Sequence, residues 1–214
     1  MKLKKLYFKN NLTGWNVKEV DFDNLTLLVG ASGVGKTQIL HALSSLSKVA
    51  QGDSENGIEW EVSFVLAEKT YVWTGQFEVV KSDAEDVYNF KEAKYNILRE
   101  SLVADDVKVV SRDEEQLLYK GIPTVKLDGC KSAIELLKAE DLISPISKGF
   151  RHIYQLQSAN IGISLSPVAN HMEDLIDLQS IKEKVSLSPF DKLFLLKKNK
   201  LKEFEDIKEQ FMEI

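Results

Sequence analysis

The chain has 214 residues, a length that suits one large domain or one domain with an inserted lobe. Its 43% hydrophobic content supports a buried core, and its net charge of −5 argues against a globally basic nucleic-acid-binding protein. Cys130 is the only cysteine, which excludes an internal disulfide and a cysteine-rich metal site. Because neither an apolar leader nor a run of about 18 apolar residues is present, we expect a cytoplasmic protein with no membrane partner.

Three apolar segments and one helical pattern open the chain. Residues 2–9 alternate weakly between apolar and polar side chains, which predicts an edge or antiparallel strand, and residues 17–22 predict a second strand. Residues 25–29 form an apolar run rich in strand formers, which predicts a buried strand. Residues 38–46 place apolar side chains at helical spacing.

A glycine-rich loop lies between the third strand and the helix and matches the Walker A pattern G-x-x-x-x-G-K-[ST]. Glycines at 30, 33 and 35 permit a sharp turn and close approach of the backbone to a ligand. The loop amides and the helix N-terminus then form an anion site suited to α- and β-phosphates of ATP. Lys36 is expected to reach the β- and γ-phosphates, and the Thr37 hydroxyl to ligate Mg²⁺. The predicted ATP-binding residues are Gly30, Ala31, Ser32, Gly33, Val34, Gly35, Lys36 and Thr37.

The middle of the chain is rich in predicted strands. Residues 58–66 alternate almost cleanly with a period of two, and residues 70–80 predict a partner strand that contains Tyr71, Trp73 and Phe77. Core packing explains these aromatic residues better than a base-stacking platform does. Further strand candidates extend a β-rich subdomain over roughly 58–127; they are residues 95–103, 107–111 and 116–119.

From residue 131 to residue 214 the pattern is mainly helical. Ser132 and Glu135 form a capping box at the start of an apolar helical stripe. Residues 150–156 are the exception, since they predict a core strand. Helical spacing returns after Pro167 and continues to the last amphipathic segment.

The lead-in strands, the loop and the helix start together resemble the ATP-binding heads of ABC-type ATPases, and more narrowly the SMC/RecF-like branch. The matching segments are residues 6–10, 20–22, 30–37 and 37–43. They are similar to bacterial AAA-family ATPases of the overcoming-lysogenization-defect type found in defence systems. The resemblance implies an α/β P-loop NTPase fold: the N-terminal lobe of an ABC-type ATPase head, with an antiparallel β subdomain and C-terminal helices.

The resemblance also implies parts of an active site beyond the loop. In such heads a glutamine after a core strand contacts Mg²⁺ and the attacking water, and Gln157 or Gln155 is the candidate, although a plain loop glutamine explains either residue more simply. Hydrolysis further needs a Walker B strand, four apolar residues followed by Asp-Glu, and a glycine-containing signature loop. Neither segment is recognisable in the sequence. Residues 1–214 are therefore expected to be an incomplete P-loop NTPase domain that binds Mg·ATP and hydrolyses it weakly by itself.

The same resemblance implies partners. In these families ATP is held between two heads, so the expected partner is a second ATPase head, either another copy of the full-length protein or a partner protein. Closure of two heads drives work on DNA or on a protein, but the net charge of −5 gives DNA binding no support.

Two other classes of protein remain open. A small nucleotide or metabolite kinase of the P-loop class uses the same loop, but it needs a lid with arginines, and the chain has only Arg99, Arg112 and Arg151. A non-catalytic interaction protein with a relic loop is the third class, and it differs from the other two in gaining no stability from nucleotide.

Overall fold

The computed structural model describes residues 1–31, 33–81, 93–125, 128–153, 189–199 and 202–212. Within these ranges the fold is mixed α/β and contains an eight-stranded antiparallel sheet in the order β2-β1-β3-β4-β5-β6-β7-β8. The strands are β1 (Lys2–Asn10), β2 (Asn16–Asp21), β3 (Ile58–Leu66), β4 (Lys69–Phe77), β5 (Ile97–Ala104), β6 (Val107–Arg112), β7 (Leu117–Tyr119) and β8 (Ile122–Pro123).

The predicted strands 2–9, 17–22, 58–66 and 70–80 are confirmed, and β1 lies inside the sheet rather than at its edge. The strands of the predicted β-rich subdomain, β3 to β8, belong to the same sheet as β1 and β2, because β3 pairs directly with β1. Three hairpins turn through residue pairs with positive φ, at 67–68, 105–106 and 120–121. Such turns match the right-handed twist of paired strands, so they keep the β3 to β8 meander in register.

One face of the sheet is the core. Successive alternate residues of β3 and β4 are buried, and the rings of Trp60 and Trp73 meet edge to face with centroids 5.2 Å apart. Tyr71, Trp73 and Phe77 are buried, so the prediction that they pack in the core is confirmed. Gly75 is required in this layer, because a Cβ there would lie 2.2 Å from the Trp60 ring.

Three helices belong to the same compact unit, which spans Met1–Ile153: α1 (Lys36–Val49), α2 (Ala133–Leu136) and α3 (Ser144–Arg151). Phe150 of α3 packs on the sheet, with its ring 5.0 Å from Trp73 and 5.5 Å from Phe64. Ala42, Leu46 and Val49 are the buried apolar residues of α1, at helical spacing.

Two serines fasten the C-terminal half of α1. The Ser47 hydroxyl donates to the carbonyl of Phe150 at 2.8 Å, and the Ser132 hydroxyl donates to the carbonyl of Val49 at 2.9 Å. Ser132 also accepts from the Glu135 amide at 3.3 Å, which confirms it as the N-cap of α2. The end of α1 that is remote from the glycine-rich loop is therefore tied to both other helices of the unit.

The predicted strand at 150–156 is wrong at its start, because Phe150 and Arg151 form the last turn of α3. Ile143, Ile146 and Phe150 are buried at spacings of three and four, which is a helical pattern. Pro145 occupies the first turn of α3, where its missing N–H costs nothing. Residues 154–156, the remainder of that prediction, lie outside the described residues.

Residues 154–214 form a second compact unit. Its described helices are α4 (Pro189–Lys198) and α5 (Lys202–Met212), which agree with helical spacing near the end of the sequence. Leu195 and Leu196 are buried, and the Lys197 ammonium lies 5.9 Å from the centroid of the Phe204 ring. Among the helices of the described ranges, none is long and apolar enough to cross a membrane.

Candidate phosphate-binding site

The described residues of the glycine-rich loop include three glycines with positive φ angles. The φ angles of Gly30, Gly33 and Gly35 are +153°, +83° and +96°. An L-residue in left-handed helical conformation costs about 1–2 kcal/mol, so glycine is the residue suited to these positions. No atom lies within 4 Å of the position that a Cβ would take at Gly33, which leaves the backbone there open to a ligand.

The N-terminus of α1 presents unused donors. Gly35 is the N-cap, with no side-chain capping bond, and the first turn of α1 contains no acidic residue. The amides of Gln38 and Ile39 donate back to the Gly35 carbonyl, at 3.0 and 3.3 Å. The amides of Lys36 and Thr37 have no acceptor among the described residues. This end of the helix therefore has both the partial positive charge and the donors that an anion requires.

The Lys36 side chain turns back over the loop. Its ammonium donates to the carbonyls of Gly30 and Ala31, at 2.7 Å in each case. The charge is thus held beside the loop backbone instead of extending into solvent. Thr37, the predicted Mg²⁺ ligand, is exposed in the first turn of α1, next to Lys36.

The prediction of a buried strand at residues 25–29 is wrong. These residues belong to no strand of the sheet, and Leu25, Leu27 and Val29 are 74%, 81% and 79% exposed. The eight strands pair with one another in the described ranges and leave residues 25–29 unpaired, so a strongly apolar run has no cover there. The apolar pattern of residues 25–29 indicates that these side chains favour burial. It does not determine whether neighbouring strands are present to bury them.

The other predicted site residues lie beyond the described ranges. Ser32, Gln155 and Gln157 are outside the described residues, so the loop is described without its third residue. In the described part of the chain, no group of three His, Cys, Asp or Glu side chains could hold a metal ion.

All three arginines are engaged in contacts within the fold. Arg99 pairs with Glu59 at 2.9 Å, and Arg151 lies 3.8 Å from Glu135. The Arg112 side chain is 7% exposed and donates to the carbonyls of Asp128, Gly129 and Lys131 at 2.6 to 3.2 Å. None of the three is left as a mobile cation for a phosphate lid.

A buried carboxylate is the feature that the sequence interpretation missed. Glu100 is enclosed beneath β4 to β6, where its oxygens accept from Trp73 Nε1 at 2.9 Å and from the Ala133 amide at 2.8 Å. Arg112 Nη1 lies 3.7 Å from it. Its place on the inward side of a period-two strand was the available signal, since a charge there must have partners. The cluster connects the sheet to the start of α2 and has a structural role.

Two polar depressions also lie on the sheet unit. One, of about 340 Å³, is lined by residues that include Tyr7, Glu61, Thr74 and Ser101. The other, of about 510 Å³, surrounds the turn at 113–117. Neither lining contains a residue of the 30–37 loop, which is an exposed loop rather than a closed cavity.

No protein-family model and no curated protein sequence matches this chain. The functional proposal therefore rests on the geometry of the loop and of the N-terminus of α1.

Proposed function

We propose that the chain binds Mg·ATP through residues 30–37, as the N-terminal lobe of an ABC-type ATPase of the SMC/RecF-like kind. The observation that carries the proposal is the combination of three glycines at positive φ, uncapped amides at the start of α1 and an ammonium folded over the loop. Backbone donors, a helix N-terminus and a fixed cation are the means by which proteins bind phosphate groups.

The proposed roles of Lys36 and Thr37 follow from their positions at the start of α1. The Lys36 ammonium neutralises the β- and γ-phosphates, and the Thr37 hydroxyl ligates Mg²⁺ bound to the same phosphates. Both residues are in the first turn of α1, so the helix amides and the two side chains act on the same phosphates of the nucleotide. Gly30 and Ala31 offer carbonyls to the same lysine, which holds it beside the ligand.

Hydrolysis belongs to a larger assembly in this proposal. The sequence contains no recognisable Walker B or signature segment, so the chain alone turns over ATP slowly or not at all. A second ATPase head, as another copy of the full-length protein or as a partner protein, supplies the missing groups. The apolar side chains of residues 25–29 support this view, because they require cover that the described residues do not provide.

The substitution Lys36→Ala tests the site directly. Charge-assisted hydrogen bonds contribute about 1.5–3 kcal/mol, so we expect ATP affinity measured by titration calorimetry to fall at least tenfold. Lys48→Ala is the matched control, because Lys48 is an exposed lysine in the last turn of the same helix. Equal ATP affinity in wild type and Lys36→Ala would refute the assignment.

The two other classes are less well supported. A P-loop kinase needs mobile arginines, and Arg99, Arg112 and Arg151 are all held within the fold. A non-catalytic interaction protein is distinguished by thermal unfolding, since binding to the native state raises the melting temperature and a relic loop gives no such shift.

A further inference from the structure

The two sides of the phosphate loop are anchored unequally. On the C-terminal side, α1 buries Ala42, Leu46 and Val49, and its far end is hydrogen-bonded to α2 and α3 through serines. On the N-terminal side lie residues 25–31, here named the incoming arm. Most of its side chains are exposed, and it belongs to no strand of the sheet.

The incoming arm has few hydrogen bonds. Its amides make none to a described residue; Thr26 Oγ1 accepts from the Asp23 amide at 3.0 Å. The carbonyls of Gly30 and Ala31 accept from Lys36 at 2.7 Å. The lysine is thus the one described hydrogen-bonding connection between the arm and α1, and a segment with so few contacts has low local stability.

Resting on the ATP binding proposed above, we propose that nucleotide binding and ordering of the incoming arm are thermodynamically coupled. A phosphate group bound by loop amides and by the amides of α1 connects the weakly held arm to the firmly held helix. Ordering the arm costs conformational entropy, and this cost makes the free energy of nucleotide binding less favourable. Anything that already holds the arm extended removes that cost and raises the affinity.

The test uses the full chain with ATP and changes only the arm. In the double variant Leu25→Gly/Leu27→Gly, two more flexible residues must be ordered. Each glycine adds about 0.5–1 kcal/mol of ordering cost, so ATP affinity measured by calorimetry should fall about 5- to 30-fold. The control is Leu25→Thr/Leu27→Thr, which also removes most of the apolar side chain but introduces β-branched residues that restrict the backbone, and its affinity should stay within about twofold of wild type.

The outcomes separate this inference from the proposed function. If wild type binds ATP, Lys36→Ala does not, and the glycine variant binds like wild type, the coupling is refuted while the site stands. An equal loss in the glycine and threonine variants also refutes it, because the effect then follows apolar surface rather than flexibility. If wild type does not bind ATP at all, the proposed function itself fails.

Hydrogen exchange gives an independent readout on the unmodified protein. The amides of residues 25–29 have no acceptor among the described residues, so they should exchange fast without ligand, and ATP should slow them together with those of residues 33–37. Protection confined to residues 33–37 and the start of α1 would mean that the arm is not ordered by nucleotide.

Discussion

Lys36 and Thr37 are neighbours in sequence with different surroundings. The ammonium of Lys36 is already bonded to two carbonyls of the loop, whereas the Thr37 hydroxyl is exposed and makes no described hydrogen bond. Under the proposed function, the lysine is therefore already fixed when a ligand arrives, and the threonine acts only once a metal–phosphate complex is bound.

The substitution Thr37→Val should separate the metal from the phosphate. Valine matches threonine in shape but has no oxygen ligand for a hard cation such as Mg²⁺. We expect ATP affinity in the presence of Mg²⁺ to fall towards the affinity measured with a chelator, while the chelator value changes little. Calorimetric titrations under both conditions give the comparison, and a variant that keeps the full effect of Mg²⁺ would contradict a role for Thr37 as ligand.

Glu100 is the residue whose protonation matters for the fold. Burial raises its pKa above 4.5, against the opposing effects of the Ala133 amide, the Trp73 N–H and Arg112. An acid with a raised pKa in the native state stabilises the fold most at pH values below its unfolded pKa. That contribution is lost as the pH rises through the native pKa.

Replacing Glu100 with Gln removes this titration. The cost of changing one oxygen to an amide group is independent of pH, so the pH-dependent part of the difference belongs to the carboxyl. Between about pH 4 and about pH 7, the free energy of unfolding of Glu100→Gln should therefore improve relative to wild type. Urea unfolding at a series of pH values measures this, and a difference that is constant or moves the opposite way would contradict the direction of the pKa shift.

At the scale of elements, α1 connects the loop to the core. Leu46 is fully buried, whereas Leu40, on the same helix, is 41% exposed. Leu46→Ala should lower the free energy of unfolding by about 2–5 kcal/mol, since it leaves a cavity. Leu40→Ala should change it by less than about 0.5 kcal/mol, and helix propensity is matched because both changes are leucine to alanine. Similar losses in chemical denaturation of both variants would show that α1 is not held through Leu46.

The elements show which features a sequence can predict. Helix α1 and strands β1 to β4 follow from apolar periodicity, and the N-cap of α2 follows from Ser132 and Glu135. Residues 25–29 have an equally apolar sequence but form no strand of the sheet. A strand needs a neighbouring strand to pair with, and this cannot be seen in the local sequence. The strand predicted from residue 150 begins within α3, because Phe150 continues the buried spacing of three and four set by Ile143 and Ile146.

The same contrast applies to the candidate site. The loop glycines, Lys36 and Thr37 form a local motif, so the candidate site could be proposed from eight consecutive residues of the sequence. The hydrogen bonds from the Lys36 ammonium to the carbonyls of Gly30 and Ala31 could not be predicted, because they depend on how the lysine side chain folds back over the loop. The pairing of Glu100 with Arg112 joins two strands and a loop, and nothing local in either segment indicates it.

At the scale of the whole molecule, the sheet and helices α1 to α3 lie within Met1–Ile153, which forms one compact unit. We expect a fragment of residues 1–153 to fold cooperatively with a melting temperature near that of the same unit in the full chain. Circular dichroism during heating measures this. A fragment without a cooperative transition would show that the second unit is required for the stability of the first.

The order of strands in the sheet also affects how the chain folds during synthesis. From β4 onwards every strand pairs with the strand made just before it, and such local pairing is fast. The exception is β1 with β3, where Phe8 faces Trp60 across the ladder. On the ribosome, the hairpin of β1 and β2 emerges first and has to wait for β3 while the glycine-rich loop and α1 are translated. During that interval most of the core in which Leu46 and Val49 are buried has not been made, so the nascent chain exposes these side chains before the fold can close.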